Sequence, residues 1–219
     1  EFNRCRSVSL VIGDGDVAFC VQSCSKVVNY AIAQQQLGSD QVHEHVGKEP
    51  SGGAFNQMSL DDRKRNADLG RKNRLLEEGR VKESQSIRVR PAIPHNPYIN
   101  AGGIMCCSLI SPDLGEADRF DLIMDTWSEL SGYHPASQSL VKPTFANSTY
   151  LSERANADRN YCLGYMLREL NAFPEECVDL EKVLETYFMC CSIECTAHSM
   201  SVVAGTLANG GICPVTGRR

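Results

Sequence analysis

Apolar residues recur at helical spacing along most of this 219-residue chain, and this pattern constrains the fold more than any other feature. Such stripes run through residues 23–37, 120–130 and 180–191, and Gly38 ends the first of them. Thr196 is placed to cap another helix through Leu207. A short apolar run over residues 8–12 is one of the few strand-like segments. The sequence therefore predicts a helix-rich chain with few strands. In the first helix the predicted buried stripe is Val27, Val28, Ala31 and Ile32.

The motif Gln22-Ser23-Cys24-Ser25-Lys26 lies where an apolar stretch passes into the first helix. A serine hydroxyl is a poor nucleophile until a base removes its proton, and residues three apart on a helix are neighbours. Ser23 and Lys26 therefore form a candidate nucleophile and base, with the positive end of the helix favouring a neutral amine. Alone, the tetrad is a weak signal that arises by chance in many chains, where it is more often a solvated serine and lysine in a first turn, so other motifs must decide.

Composition excludes several classes of partner. The net charge of −5 gives the whole molecule no electrostatic case for nucleic acid. No apolar run approaches the length that crosses a bilayer. The sequence His43-Glu44-His45 offers metal ligands, but no second cluster has zinc-like spacing. We therefore predict no metal, no cofactor, no nucleic acid and no membrane partner.

Eleven cysteines are present, an odd number that includes two adjacent pairs. Positions such as Cys162 and Cys195 fall inside apolar patterns, which is typical of small buried hydrophobic residues rather than of a disulfide framework. We therefore predict free thiols in a reducing compartment and a protein that is not secreted.

Residues 61–90 differ from the rest of the chain. They hold ten Lys or Arg and six Asp or Glu, a net charge of +4, whereas the remainder carries −9. Few large apolar residues are available to offset the entropy of ordering. We predict a disordered or weakly helical basic insertion, whose role is either a basic interaction segment or none.

Five groups of residues share one order and spacing with a known family. They are Gln22–Lys26, His95–Gly102, Ser152–Arg154 with Asp158–Asn160, Tyr187–Glu194, and Thr206–Gly211. This set closely resembles the serine-dependent glutaminases, and residues 153–217 look most like the animal kidney-type and liver-type enzymes. The resemblance covers about two-thirds of the chain.

The resemblance implies one α/β domain over residues 1–219 with a beta-lactamase-like fold, a mainly antiparallel sheet and a helical lobe, incomplete at both ends. It implies hydrolysis of L-glutamine to glutamate and ammonia through a glutamyl-serine intermediate. By resemblance the protein is a homo-oligomer, a tetramer, and is mitochondrial or otherwise cytoplasmic. The implied catalytic residues are Ser23, Lys26 and Tyr187. The implied substrate-binding residues are Gln22, Ser23, Asn100, Glu153, Asn160 and Tyr187.

These residue types suit free glutamine on chemical grounds as well. Glu153 can pair with the α-ammonium, and the amides of Asn100 and Asn160 can bind the α-carboxylate. Tyr187 can donate a hydrogen bond near the reacting serine, and the backbone N–H of Ser23 can stabilise an oxyanion. Because Glu153 and Asn160 are seven residues apart, we expect them to share a face if one helix carries both.

Two alternatives remain open from sequence alone. A penicillin-recognising serine hydrolase would share the Ser-x-x-Lys tetrad, but neither a Ser-x-Asn element nor a Lys-Thr-Gly strand is evident. A catalytically inactive truncated glutaminase, serving as an assembly or interaction module, would account for the missing segments.

Overall fold

Helices account for most of the structure, a computed structural model that describes residues 10–82, 87–134, 140–175 and 179–219. The helices in these residues are α1 (Ser25–Leu37), α2 (Ser39–His45), α3 (Arg63–Glu77), α4 (Asn100–Leu109), α5 (Glu116–Leu130), α6 (Asn147–Ala155), α7 (Asp158–Glu169), α8 (Leu180–Cys191) and α9 (Ala197–Ala208). The strands are β1 (Ala18–Cys20), β2 (Thr144–Phe145) and β3 (Ile193–Thr196). The strand predicted over residues 8–12 is absent from residues 10–12, and residues 8 and 9 lie outside the described ranges.

The described residues fall into two compact units, each built from separate stretches of chain. The first unit contains the described parts of 1–28, 114–156 and 185–219, and the second contains those of 29–113 and 157–184. The chain therefore does not divide into consecutive domains. That it acts as one catalytic domain stays a prediction.

The first unit holds a small antiparallel sheet in the order β1-β3-β2. Ala18 pairs with Thr196 on one side of β3, and Phe145 pairs with Ile193 on the other. The predicted cap of α9 is confirmed, because the Thr196 hydroxyl accepts a hydrogen bond from the backbone N–H of Ser199. The sheet thus leads directly into α9 at one end and receives β1 at its edge.

Helix α5 packs on α9 in this unit, with Ile123 and Trp127 fully buried. Thr206 of α9 donates a hydrogen bond from Oγ1 to the backbone oxygen of Leu130, at 2.9 Å. The apolar stripe predicted for residues 120–130 therefore faces the core at its central positions. The glycine-rich end predicted for α9 is also confirmed, because Gly210 and Gly211 follow Ala208 in left-handed conformations.

The second unit is built around α4, all ten residues of which are buried. Helix α4 packs against α7 and α2. A Cβ added at Gly102 would overlap the backbone oxygen of Asn96, so this glycine permits the start of α4 to approach the preceding turn closely. That close approach fixes where Asn100, the first residue of α4, lies.

The basic segment 61–90, predicted to be disordered or weakly helical, contains α3 over Arg63–Glu77. None of the residues of α3 is fully buried, in keeping with the predicted shortage of apolar side chains. A charge pair connects α3 with the chain after it, because Arg90 donates to both carboxylate oxygens of Asp68, at 2.7 and 2.8 Å. The backbones of Asp61 and Ile93 also pair. Residues 83–86 lie outside the described ranges, and the status of the segment as an insertion stays a prediction.

Two burial predictions were wrong. Val27 was placed on the buried stripe of α1 but is 40% exposed, whereas Val28 and Ile32 are buried as predicted. Cys162 was expected inside but is exposed on α7. All nine described cysteines are free thiols, and six of them are buried.

Candidate active site

Ser23 and Lys26 lie together where the sheet of the first unit ends and a helix begins. Val21 donates its backbone N–H to the oxygen of Ile193 at 2.8 Å, which anchors the chain beside β3. A one-turn 3₁₀ helix, Gln22–Cys24, then presents Ser23 before α1 starts at Ser25. Lys26 Nζ donates a hydrogen bond to Ser23 Oγ at 2.8 Å. The predicted nucleophile and base are therefore in contact.

The surroundings of these two side chains differ sharply. Ser23 is exposed, whereas Lys26 is only 2% exposed. The lysine stem is covered by protein while its amine reaches a hydroxyl that solvent can reach. The arrangement suits proton transfer from a surface serine to an enclosed amine.

Tyr187 completes this cluster from α8. Its ring centroid is 5.7 Å from Lys26 Nζ, a distance at which a cation is attracted to the ring face. Tyr187 is 2% exposed and its ring packs edge-on against Phe188. The structure therefore brings together the three residues that the sequence nominated for catalysis.

Gln22 precedes the serine in a strained conformation. Its φ is +48°, in the left-handed region that non-glycine residues seldom adopt and that costs about 1–3 kcal/mol. Its side chain is exposed. The structure thus places Gln22 at the turn that presents Ser23, and its substrate-binding role stays a prediction.

Glu153 lies on α6 of the same unit, near the buried thiol of Cys191. Burial and the adjacent Cys190 raise the pKa of Cys191 to about 12, Lys26 and Ser25 act in the opposite direction, and Glu153 raises it further. An ion pair of 3.3 Å joins Arg154 to Glu185 and so connects α6 with α8. The carboxylate of Glu153 is therefore close enough to Cys191, on the helix that carries Tyr187, for its charge to act on that thiol.

Asn100 and Asn160 meet in the second unit. The amide nitrogen of Asn100 donates to the amide oxygen of Asn160 at 3.0 Å. Asn100 begins α4, and its backbone N–H bonds to the oxygen of Phe55 at 2.8 Å. Asn96 shapes the preceding turn, since its side-chain oxygen accepts from the backbone N–H groups of Tyr98 and Ile99. The side-chain amides of Asn100 and Asn160 therefore form a pair joined by a hydrogen bond.

The condition under which Glu153 and Asn160 would share a helix face is not met, because two helices carry them. Glu153 belongs to α6, which ends at Ala155, and Asn160 belongs to α7, which begins at Asp158. Sequence reasoning also overlooked Ser25 and Cys191. The signals available were a second serine next to Lys26 in the motif, and a thiol four residues after Tyr187 on the apolar stripe.

Neither a metal-binding group nor a membrane-spanning helix is found among the described residues. The part of the chain that the structure describes contains no group of three His, Cys, Asp or Glu side chains arranged to hold a metal ion. His43 instead bonds through one ring nitrogen to the Val46 oxygen, at 2.9 Å, and through the other to the Tyr30 hydroxyl, at 2.9 Å. Among the same residues, no helix combines the length and the hydrophobicity that a bilayer crossing requires.

Comparison with protein families gives one match over nearly the whole chain. The model of the family described as Glutaminase matches residues 4–79 and 78–219, and the two matches meet inside the basic segment. The rat liver isoform of mitochondrial glutaminase is 41% identical over 206 residues, which are 94% of this chain and 28% of the rat protein. The Corynebacterium glutamicum glutaminase is 34% identical over 208 residues, with 94% and 41% coverage. The chain thus spans less than half of these relatives.

Solved structures give the same result for the fold. A Bacillus glutaminase crystallised in 4.3 M NaCl superposes with a TM-score of 0.70 at 27% identity, covering 94% of this chain and 57% of that one. The native form of the protein named Mglu superposes with a TM-score of 0.71 at 28% identity, covering 95% and 41%. These likenesses confirm the predicted beta-lactamase-like fold.

Proposed function

Because the chain belongs to the glutaminase family, we propose that it carries the machinery for hydrolysing L-glutamine to L-glutamate and ammonia, with Ser23 as nucleophile. The observation that carries the proposal is the 2.8 Å hydrogen bond between Lys26 Nζ and Ser23 Oγ. The matches to named glutaminases support this activity over a penicillin-recognising hydrolase. The chain spans 28% of the rat relative, so the activity is proposed for the protein of which these residues form part.

The first chemical step forms an ester. Ser23 Oγ attacks the carbon of the substrate carboxamide while its proton passes to a neutral Lys26 amine. The carboxamide oxygen becomes an oxyanion, which the backbone N–H of Ser23 stabilises by hydrogen bonding. The carbon–nitrogen bond then breaks, and the nitrogen leaves as ammonia after taking the proton that Lys26 holds. The product of this step is a glutamyl-serine ester.

The second step returns the enzyme to its starting state. A water molecule gives a proton to Lys26 and attacks the ester carbon, and the bond to Ser23 Oγ breaks as that oxygen regains the proton. Tyr187, whose ring lies 5.7 Å from Lys26 Nζ, supplies a phenolic hydrogen bond to the reacting groups. One water is consumed and one glutamate is released, so no cofactor is needed.

Recognition of the substrate is assigned to carboxylate and amide groups. The α-ammonium pairs with Glu153, and the α-carboxylate accepts hydrogen bonds from the Asn100–Asn160 pair. Gln22 contributes from the turn beside the nucleophile. Glutamine carries both α-groups, and the proposal therefore excludes simple aliphatic amides as good substrates.

Two further properties are proposed from relatives. The rat relative is named as a mitochondrial protein, which supports a mitochondrial location for this one. We also propose a homo-oligomer, a tetramer by family resemblance. Light scattering of the purified protein and its distribution between cell fractions would test these two proposals.

The direct test is ammonia release from L-glutamine by the parent protein and by Ser23→Ala. The expected result is turnover by the parent and its loss in Ser23→Ala. The matched control is Ser201→Ala, which removes an exposed hydroxyl on α9 and should leave turnover unchanged. Mass spectrometry after a brief quench should show a glutamyl group on the parent and none on Ser23→Ala. Near-normal ammonia release from Ser23→Ala would reject the assignment of the nucleophile.

A further inference from the structure

Ser25 lies between the proposed nucleophile and base in the sequence, but unlike the nucleophile it is buried. Ser23 is exposed, whereas Ser25 is 0% exposed. Ser25 takes no part in either of the two proposed chemical steps. A buried hydroxyl requires partners, and those partners show what Ser25 does.

The Ser25 hydroxyl donates to the backbone oxygen of Gln22 at 2.8 Å. Gln22 holds the strained left-handed conformation, with φ +48°, that turns the chain so that Ser23 faces outward. A strained residue persists only where its surroundings hold it. Val21 is held on the other side, since its backbone N–H bonds to Ile193 at 2.8 Å. The turn is thus fixed at both ends, by β3 before it and by Ser25 after it.

A second contact connects Ser25 to the helix that carries Tyr187. Ser25 Oγ lies 4.0 Å from Cys191 Sγ, and Cys191 follows Tyr187 by one helical turn on α8. Either atom could donate in this longer contact. The 2.8 Å bond from the Ser25 hydroxyl to the Gln22 carbonyl is the shorter of the two, and it is the contact that bears on the turn.

We propose that Ser25 is a positioning residue, whose bond to the Gln22 carbonyl holds Ser23 Oγ within reach of Lys26 Nζ. The proposal rests on the proposed function in one respect only: misplacing Ser23 should lower the rate of glutamine hydrolysis. Ser25 itself contacts neither substrate nor reacting atoms. Its effect on the geometry of the turn is independent of the substrate.

The first test is the substitution Ser25→Ala, measured by ammonia release. Loss of one hydrogen bond that aligns the nucleophile should lower kcat by about tenfold and change KM by less than about twofold. Ser25→Thr keeps the hydroxyl and should recover most of the rate. Equal kcat values for Ser25→Ala and the parent would overturn the proposal.

The matched control is Ser131→Ala in the same unit. Ser131 is also 0% exposed, and its hydroxyl donates to the backbone oxygen three residues earlier, at 2.9 Å. The two alanine variants therefore lose the same kind of buried bond. Ser131→Ala should lose stability but keep kcat. A similar fall in kcat for both variants would show a general effect of destabilisation and would also overturn the proposal.

A readout without turnover separates this proposal from the proposed function. Amide hydrogen exchange over residues 21–26 should quicken in Ser25→Ala and stay unchanged in Ser131→Ala. Labelling of Ser23 by a phosphonofluoridate should slow by about tenfold in Ser25→Ala, with Ser23→Ala as the unlabelled reference. If the parent releases no ammonia, the proposed function fails, while exchange still decides the role of Ser25. If amide hydrogen exchange over residues 21–26 is the same in Ser25→Ala and in the parent, the positioning role of Ser25 is rejected.

Discussion

Lys26 Nζ lies 2.8 Å from Ser23 Oγ although the lysine is 2% exposed and the serine is exposed. The short distance follows from the spacing, because residues three apart in a helical turn are neighbours. The difference in exposure does not follow from the spacing. It arises because Ser23 precedes α1, in the 3₁₀ turn, while Lys26 lies inside the first turn of α1.

Replacing Lys26 with methionine should abolish most of the proposed activity and leave the fold largely intact. Methionine keeps an unbranched apolar stem in the buried site but removes the amine. We expect kcat for glutamine hydrolysis to fall by roughly 10²–10⁴-fold, the usual effect of losing a general base. Steady-state ammonia release and the melting temperature should be measured together.

Lys142→Met provides the control for this substitution, since Lys142 is an exposed lysine of the same unit. It should leave kcat within about twofold of the parent. A Lys26→Met protein that is folded and still turns over glutamine at the parent rate would remove Lys26 from the mechanism.

Asn100 and Asn160 should be energetically coupled. Their side chains share a 3.0 Å hydrogen bond, and Asn100 is only 8% exposed. We expect Asn100→Ala and Asn160→Ala to show an interaction energy of about 0.5–1.5 kcal/mol in a double-mutant cycle of unfolding free energies. Urea unfolding of the parent, both single variants and the double variant gives this quantity. Both single variants should also raise KM for glutamine, because the proposed carboxylate site is lost.

The control cycle pairs Asn100→Ala with Asn73→Ala, which removes an exposed amide on α3. These two changes should add to within about 0.5 kcal/mol. An interaction energy near zero for Asn100 and Asn160 would show that their contact contributes nothing to stability.

Local spacing was sufficient to predict α1, α5, α8 and α9, and also the contact between Ser23 and Lys26. The apolar stripe of residues 180–191 and the Thr196 cap both depend on neighbours within four positions, and the structure contains both. The same holds for Ser23 and Lys26. Such features depend only on the geometry of a helix, so the sequence pattern is enough to predict them once the segment is helical.

Features that depend on the partner surface were not predictable in this way. Periodicity placed Val27 beside Val28 on a buried face, but only the packing of α1 decides where that face ends, and Val27 is 40% exposed. The left-handed Gln22 has no sequence signature, because glycine and asparagine usually occupy such positions. The helix break before Asp158 separates Glu153 from Asn160, and no proline or glycine marks it.

Gly102→Ala should be strongly destabilising. The added Cβ would overlap the backbone oxygen of Asn96, and backbone atoms cannot move aside as the end of a side chain can. We expect a loss of about 1–3 kcal/mol in unfolding free energy, typical of overpacking at a buried site. KM for glutamine should also rise, since the displaced turn leads into Asn100. Denaturant unfolding and ammonia release measure the two effects.

Gly70→Ala is the matched control, since Gly70 also lies within a helix and a Cβ there would meet nothing within 4 Å. Alanine in a helix is favoured over glycine, so this variant should gain about 0.5–1 kcal/mol. Opposite signs for the two glycines are the expected outcome. An unchanged unfolding free energy in Gly102→Ala would mean that the backbone turn at Asn96 can move aside at little cost.

The position of α3 should depend on pH through Asp68. Hydrogen bonds from the side chain and then the backbone of Arg90 lower the pKa of Asp68 from 3.8 to about 2. Because the folded pKa lies below the unfolded pKa, this carboxylate stabilises the docked α3 fully above about pH 4, and the contribution is lost as pH falls through about 2.

Carbon-detected NMR titration of the Asp68 carboxyl should show the low pKa. Arg90→Gln should return it towards 3.8 and quicken amide exchange in α3 at neutral pH. Arg63→Gln is the control, since Arg63 pairs with Asp61 and should leave the titration of Asp68 unchanged. If the pKa of Asp68 is the same in the parent and in Arg90→Gln, charge pairing does not hold α3 in place.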